Sequence, residues 1–286
     1  MKKGRVITFT KMQGAGNDFV LLDGTKNDLS GIDLSSVSRK LLDRRFGIGG
    51  DQLLLLLPPA GKGDFRMRIF NADGGEVQMC GNGIRCLARY IWDRGMGKNK
   101  KEAGERLEIE TLAGIIVPER RGDNLVRVDM GVPVLEGREV PVLLAGRIID
   151  YPLKVDDAVF NITCVSMGNP HAAVFVGDVS GFPVDRYGPV IERHPLFPER
   201  TNVEFIQVKG PEEISMRVWE RGSGETLACG TGASAAVVAS ALKGLTSKSV
   251  KVVLAGGVLH IEWAQNGHVY MTGPAEQVFE GEILLA

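Results

Sequence analysis

Short apolar stretches bounded by turn residues dominate the chain and predict β-strands. Val6–Thr10 begins the pattern, and Met67–Phe70 and Met216–Trp219 are similar short runs that end at glycine-rich turns. The leucine run Leu53–Leu57 stops at two prolines and is far too short to cross a bilayer. We therefore predict that it is a buried strand.

Two longer stretches rich in alanine, leucine and other apolar residues predict helices instead. They are Ile84–Trp92 and Ala233–Leu242, and Gly95 and Gly244 are placed to end them. Because both stretches offer so little polar surface, we expect each helix to be buried.

The chain repeats itself once. Phe65–Gly83 aligns with Ile214–Gly232 without a gap, and each copy reads Met-Arg-apolar-aromatic, a polar turn, Gly-Glu and then Cys-Gly-x-Gly. Two further pairs of segments match in the same order, Gly16-Asn17 with Gly168-Asn169 and Leu112–Val117 with Leu254–Leu259. Three shared blocks in one order indicate a duplication. Each half is predicted to be mostly strand with one apolar helix buried inside it.

Composition narrows the class of protein. The chain has 286 residues, a net charge of −1 and 24% charged residues, without the basic excess typical of nucleic-acid binders. The basic N-terminus leads into a strand and not into a long apolar stretch, so we expect no export signal, no membrane partner and a cytoplasmic location. The four cysteines are then expected to be thiols. No Cys-x-x-Cys pair is present, which argues against a zinc site.

Cys80 and Cys229 occupy equivalent places in the repeat, each directly before a predicted helix and followed by glycines. Free N–H groups at a helix start favour negative charge, and they can lower a thiol pKa from about 8.5 to roughly 3.5–7.5. Two such helix starts could bind an α-carboxylate. If the two thiols lie on opposite sides of one cleft, one removes an α-proton and the other returns a proton, without metal or cofactor.

A structural interpretation competes with this one, because a lone cysteine is more often a small buried hydrophobe. Cys86 and Cys164 lie in apolar stretches and are expected to be core residues. For Cys80 and Cys229 the equivalent positions favour catalysis. On residue type alone, Asn17, Asn71 and Asn202 are more typical of turns and caps than of ligands, and His171 is more typical of a structural histidine.

Nearly end to end, the chain resembles the diaminopimelate epimerase family. The motifs that carry the resemblance are Lys11–Phe19, Gly47–Gln52, Asn71–Gly74 with Met79–Gly83, Gly168–His171, Arg200–Phe205 and Glu220–Gly232. The resemblance implies an isomerase that interconverts LL- and meso-2,6-diaminopimelate on the route to lysine and, in many bacteria, the cell-wall cross-link. It also implies a homodimer without a cofactor.

The implied fold class is α+β, with two pseudo-symmetric domains, each a mostly antiparallel, β-barrel-like sheet around a central helix. The expected domains are residues 1–132, to which residues 275–286 return, and residues 133–274. The implied site has Cys80 and Cys229 as the acid/base pair, with His171 and Glu220 tuning the thiols. The implied substrate-binding residues are Asn17, Gln52, Asn71, Gly81, Asn82, Asn169, Asn202, Glu220, Arg221, Gly230 and Thr231.

Residue chemistry fits that set, since the guanidinium of Arg221 offers a planar fork for a carboxylate and asparagines both donate and accept hydrogen bonds.

Two other functions stay open. A proline or hydroxyproline racemase uses the same two-thiol logic, but we would expect histidine where Asn82 stands. A binding protein that closes on amino acids without reacting is disfavoured because both cysteines stand in full motifs. A related isomerase group of phenazine synthesis lacks the paired cysteines.

Overall fold

The computed structural model describes residues 5–96, 106–122 and 124–285. Up to residue 129 the elements are β1 (Arg5–Gly14), β2 (Asn17–Asp23), α1 (Leu34–Leu42), β3 (Gln52–Leu57), β4 (Phe65–Asn71), β5 (Glu76–Val77), α2 (Gly81–Asp93), β6 (Ile109–Thr111), β7 (Gly114–Ile116), β8 (Glu119–Arg121) and β9 (Leu125–Asp129). They continue with β10 (Tyr151–Val155), β11 (Ala158–Ser166), β12 (Pro170–Phe175), α3 (Val184–Glu192), β13 (Asn202–Gly210), β14 (Glu213–Glu220), β15 (Gly224–Thr226), α4 (Gly230–Leu242), β16 (Ser249–Leu254), β17 (Gly257–Trp263), β18 (Val269–Pro274) and β19 (Glu276–Leu285).

The described residues fall into two compact units. Unit 1 lies within Met1–Val128 and Gly273–Ala286, so the last strand joins the first part of the chain. Unit 2 is Asp129–Thr272. Each unit has its own pair of helices, α1 and α2 in unit 1 and α3 and α4 in unit 2.

The sheet of unit 1 runs in the order β19-β1-β2-β3-β4-β6-β7, with β5 paired to β4. Most neighbours are antiparallel. The two parallel pairs are β2–β3, which are connected through α1, and β4–β6, which are connected through α2. A parallel pair needs a crossover connection, and a helix supplies it in both cases.

The second sheet runs in the order β10-β11-β12-β13-β14-β16-β17-β18-β9-β8, with β15 paired to β14, and its strands from unit 2 repeat the plan of unit 1. Its parallel pairs are β12–β13, connected through α3, and β14–β16, connected through α4. The α+β class and the duplication predicted from the sequence are confirmed by these matching sheets.

Helices α2 and α4 confirm the two predicted apolar helices, and both are largely buried against the sheet of their own unit. The prediction of one helix per half is wrong, because α1 and α3 are additional helices of nine residues each. Both are short and amphipathic, so they lack the long apolar composition by which α2 and α4 were recognised, and α3 also contains Pro189 and starts after Pro183. Within the described ranges, no helix combines the length and apolar character needed to span a membrane.

Candidate active site

Both motif cysteines are N-cap residues, as the sequence predicted. Cys80 precedes α2 and its sulfur accepts a hydrogen bond from the Gly83 amide at 3.4 Å. Cys229 precedes α4 and accepts in the same way from the Gly232 amide, also at 3.4 Å. The two thiols therefore have the same backbone setting, each in its own unit.

A tight turn brings Asn17 to Cys80. Ala15 and Gly16 both have positive φ, 55° and 83°, and they join β1 to β2 where Gly14 pairs with Asn17. The Asn17 side-chain oxygen lies 3.8 Å from the Cys80 sulfur and accepts from Asn82 at 3.2 Å. Three of the predicted site residues thus meet at the start of α2.

Asp51 fixes the other end of the Asn17 amide, which donates to its carboxylate at 2.7 Å. Arg44 binds the same carboxylate and that of Asp18. Burial raises the pKa of Asp18, but hydrogen bonds from Arg44 and Lys11 outweigh it and bring that pKa to about 2. Sequence reasoning included Asp51 in a motif without giving it a role, although an acidic residue directly before a buried leucine strand was a usable signal.

The side chain of Asn82 is positioned by Arg85, whose own side chain is fully buried. Its guanidinium donates to the Asn82 side-chain oxygen at 2.9 Å and to the Pro274 carbonyl at 3.2 Å. Burial lowers the pKa of Arg85 to about 10. The last part of the chain is thereby tied to the helix start that carries Cys80.

Gln52 and Asn71 stand opposite each other on β3 and β4, and the Gln52 amide donates to the Asn71 oxygen at 2.8 Å. Both side chains are half-buried. The two predicted ligands form one polar pair in unit 1.

Cys229 is buried, with 6% of its surface exposed. A series of hydrogen-bonded polar groups of unit 2 leads away from its sulfur. Thr231 Oγ1 lies 3.4 Å from the sulfur and accepts from the Asn169 amide at 3.4 Å. The Asn169 oxygen is 2.9 Å from Nε2 of His171. The predicted residues Asn169, His171 and Thr231 are therefore all connected to Cys229.

His171 also contacts a residue to which the sequence analysis gave no role. Its Nδ1 lies 2.7 Å from Oε1 of Glu204, and both side chains are completely buried. Burial raises the pKa of Glu204, against the opposing effect of His171. A glutamate inside the apolar run Val203–Ile206 was the signal that could have identified it.

Asn202 organises the turn that carries Arg221. It is buried, donates to the Pro170 carbonyl at 2.8 Å and accepts from the Arg221 backbone N–H at 2.9 Å. The Arg221 guanidinium donates to the Glu199 carbonyl at 3.0 Å. The contacts position the Arg221 side chain, which is otherwise exposed to solvent.

Glu192, a second residue that the sequence analysis missed, supports the same turn. Its buried carboxylate accepts from the Trp219 ring N–H at 2.8 Å and from the Gly222 amide at 3.0 Å. Glu220 lies between those two anchors and accepts from the Thr226 hydroxyl at 2.5 Å.

The electrostatics of Cys229 differ from the sequence expectation. Burial raises the pKa of its thiol well above the usual value, and the carboxylates of Glu220 and Glu204 raise it further. Hydrogen bonds from Thr231 and Gly232 act in the opposite direction but do not compensate. The helix start is outweighed because the sulfur has lost its water and faces two acidic groups.

Cys86 and Cys164 behave as core residues, as expected. Both are buried, and burial raises the pKa of each thiol to about 12. Among the described residues, no cluster of His, Cys, Asp and Glu could hold a metal ion.

Comparison with known proteins identifies the family. The sequence model of the family described as diaminopimelate epimerase matches residues 9–136 and 163–278. The chain belongs to the diaminopimelate epimerase family. A diaminopimelate epimerase of Pelotomaculum thermopropionicum is 54% identical over 279 residues, covering 96% of this chain and 98% of that protein. One of Moorella thermoacetica is 54% identical over 283 residues, covering 97% and 99%. The predicted family and isomerase class are confirmed.

Solved structures of lower identity share the fold. A phenazine biosynthesis protein of the PhzF family from Bacillus anthracis has a TM-score of 0.70 at 18% identity, covering 98% of this chain and 100% of that one. A probable proline racemase from Agrobacterium radiobacter has a TM-score of 0.69 at 16% identity, covering 98% and 93%. These likenesses show that the fold is shared beyond the diaminopimelate epimerase family.

Proposed function

We propose that this diaminopimelate epimerase interconverts LL- and meso-2,6-diaminopimelate by moving protons between one substrate carbon and two thiols, Cys80 and Cys229. The observation that carries the proposal is that both cysteines cap equivalent helices of a duplicated unit. A reaction that inverts one centre runs through near mirror-image forward and reverse steps. A duplicated unit supplies the two similar acid/base groups that such steps require.

The reacting carboxylate binds at the two helix starts, to Gly81 and Asn82 and to Gly230 and Thr231. Backbone N–H groups there favour negative charge. As the α-proton leaves, charge spreads from the carbon into the carboxylate, and these donors stabilise it without a metal or other cofactor.

In the resting enzyme Cys229 is protonated, so it acts as the acid in the direction of reaction that starts from this state. Its raised pKa keeps the sulfur protonated near neutral pH. Because inversion needs one base and one acid, Cys80 then removes the α-proton in that direction. In the reverse direction the roles exchange.

The other end of the substrate, with its own ammonium and carboxylate groups, is recognised by the residues that differ between the halves. Arg221 binds the distal carboxylate, while the remaining polar ligands form hydrogen bonds with the two ammonium groups. Those ligands are Asn17, Gln52, Asn71, Asn169, Asn202 and Glu220. His171 and Glu220 adjust the thiol of Cys229.

A substrate with two unlike ends also separates this proposal from a proline or hydroxyproline racemase. Asn82, where such a racemase is expected to have histidine, accepts from Arg85 and donates to Asn17, so its amide is built into the site. A binding protein without activity would have no use for two equivalent capping thiols.

Turnover in deuterated water tests the reaction. Starting from LL-diaminopimelate, the meso product should carry deuterium at the inverted carbon, because the returned proton comes from a thiol that exchanges with solvent. The measurement is the mass and the NMR spectrum of the product under reducing conditions. Inversion with full retention of the original hydrogen would contradict two-base transfer, and neither exchange nor inversion would leave only the binding function.

The reaction places the enzyme in lysine biosynthesis, with the meso product also available as a peptidoglycan precursor. Two catalytic thiols work only in reduced form, so we infer a cytoplasmic location. Neither nucleic acid nor membrane is a proposed partner.

The protein also acts as a homodimer, and β19 supplies the contact. This strand lies at the edge of the unit 1 sheet and exposes apolar side chains, with Val278 at 56% and Leu284 at 58%. An exposed apolar edge strand is a ready site for association. We expect the mass of a dimer by light scattering, and of a monomer for a Val278→Glu, Leu284→Glu variant. A native monomer, or a variant that remains dimeric, would exclude this contact.

A further inference from the structure

The two capping thiols have the same backbone setting but very different support. In unit 2, His171 pairs in register with Asn202, and in unit 1 Phe19 pairs with Gln52 in the same way. Glu204 lies two residues after Asn202 on β13, and Leu54 lies two residues after Gln52 on β3. His171 and Glu204 therefore correspond to Phe19 and Leu54.

Leu54 and Glu204 also lie against corresponding helix starts. A Cβ placed on Gly83 would lie 3.0 Å from Leu54 Cδ2 and 3.5 Å from Phe19 Cε1. A Cβ placed on Gly232 would lie 2.8 Å from Oε1 of Glu204. The start of α2 thus faces two apolar side chains, whereas the start of α4 faces the carboxylate of Glu204.

We propose that Glu204 is a positioning residue that orients a chain of hydrogen bonds from His171 to the sulfur of Cys229. The inference rests on the proposed role of Cys229 and adds what controls it. The chain runs from Glu204 through His171, Asn169 and Thr231 to Cys229, with distances of 2.7, 2.9, 3.4 and 3.4 Å.

The direction of the chain follows from which groups can donate. The Asn169 oxygen faces Nε2 of His171, so Nε2 must carry a hydrogen. The Asn169 amide then donates to Thr231 Oγ1, which leaves the Thr231 hydroxyl hydrogen free to point at the sulfur. A donor aimed at sulfur stabilises the thiolate that Cys229 must form in the reverse reaction.

Glu204 determines this direction because it determines the protons on His171. The pair is completely buried, and a neutral histidine beside a carboxylate would leave an uncompensated charge there. Two protons shared by the pair, one at Nδ1···Oε1 and one on Nε2, remove that charge. Without an acidic partner, His171 would hold one proton, and Nε2 could lose its hydrogen to Nδ1.

The other ionisable groups that face this region do not supply the same effect. The charge of Glu220 on β14 acts on the thiol of Cys229, and that of Glu204 also acts on the thiol of Cys164 on β11. Glu220 and Glu204 both raise the pKa of Cys229 through their charge, whereas the Thr231 hydrogen bond lowers it. A test must therefore separate the chain of hydrogen bonds from the direct effect of charge.

The experiment measures the pH dependence of alkylation of Cys229 by iodoacetamide in a Cys80→Ala protein, with the site quantified by peptide mass spectrometry. Thr231→Val should raise the apparent pKa of Cys229 by about one unit, which is roughly tenfold less thiolate at a given pH. Thr231→Ser keeps the hydroxyl and should leave the pKa near the native value. Glu204→Gln should also raise the pKa of Cys229, because the lost hydrogen bond outweighs the lost charge. In the Thr231→Val protein, where that hydrogen bond is already absent, it should no longer raise the pKa.

Two outcomes would overturn the proposal. A shift from Glu204→Gln that is just as large in the Thr231→Val protein would mean that the effect does not pass through Thr231 (a fall in the pKa of Cys229 in both proteins being the direct effect of charge), and no shift at all would mean a structural role. As a matched control, Glu204→Gln should not move the alkylation profile of Cys80 in a Cys229→Ala protein. These measurements need no turnover, so they fail independently of the proposed epimerisation.

A second measurement uses the native protein and covers the case in which Glu204→Gln does not fold. The chain has only four histidines, so imidazole ¹⁵N–¹H NMR spectra can be assigned. Near neutral pH, Nε2 of His171 should carry a hydrogen. An unprotonated Nε2 would reverse the chain and overturn the proposal.

Discussion

Replacing either Cys80 or Cys229 by alanine should reduce epimerisation by at least about 10³-fold. General acid–base catalysis by one positioned group contributes roughly 10²–10⁴-fold, and inversion needs both groups in every turnover. Neither substitution removes a large buried side chain, so both variants should remain folded. The measurement is kcat for LL-diaminopimelate, together with the thermal unfolding midpoint.

Cys86→Ala is the matched control. Cys86 is a buried thiol on the same helix as Cys80, and its raised pKa of about 12 keeps it out of acid–base chemistry. This variant should retain near-native kcat. If Cys80→Ala or Cys229→Ala also keeps near-native turnover, the assignment of that thiol is wrong.

Arg221→Met should lower kcat/KM for diaminopimelate by roughly 10²–10³-fold. A bidentate pair between guanidinium and carboxylate combines two charge-assisted hydrogen bonds, each worth about 1.5–3 kcal/mol. Since Arg221 is positioned by Asn202 and Glu199, its fork is already ordered before the substrate binds. Turnover of an analogue without the distal carboxylate, already slow in the native enzyme, should change little.

The losses of kcat/KM for diaminopimelate and for the analogue, compared with each other, show which end of the substrate Arg221 binds. An equal loss for diaminopimelate and for the analogue would place Arg221 at the reacting end or in the fold. Arg186→Met is the control, because the guanidinium of Arg186 makes an exposed ion pair with Asp157 in the same unit and lies over the ring of Tyr187. Such surface pairs contribute about 0–1 kcal/mol to stability, and activity should be native.

The sequence predicted those parts of the fold that depend on a strong local signal. The helix after each cysteine was evident from its apolar composition and from the glycines at its two ends. The capping position of Cys80 and Cys229 followed from the same pattern. The repeat was visible because both copies keep the turn chemistry that the cap requires.

The remainder depended on which strands lie side by side. Helices α1 and α3 are only nine residues long and amphipathic, so a search for long apolar stretches passes over them. Glu204 and Asp51 lie two residues and one residue from predicted ligands, yet their roles come from parallel pairing of β12 with β13 and of β2 with β3. The raised pKa of Cys229 likewise reflects burial and two carboxylates that local sequence does not place together.

Exchange of the α-hydrogen by the two cysteine variants, followed for each stereoisomer in deuterated water, tests the central claim most directly. Each remaining thiol can remove and return a proton on its own side of the carbon only. Cys229→Ala should therefore exchange one of the LL and meso isomers without inverting it, and Cys80→Ala should exchange only the other. Exchange of the same isomer by both variants would contradict two thiols acting on opposite faces of one carbon.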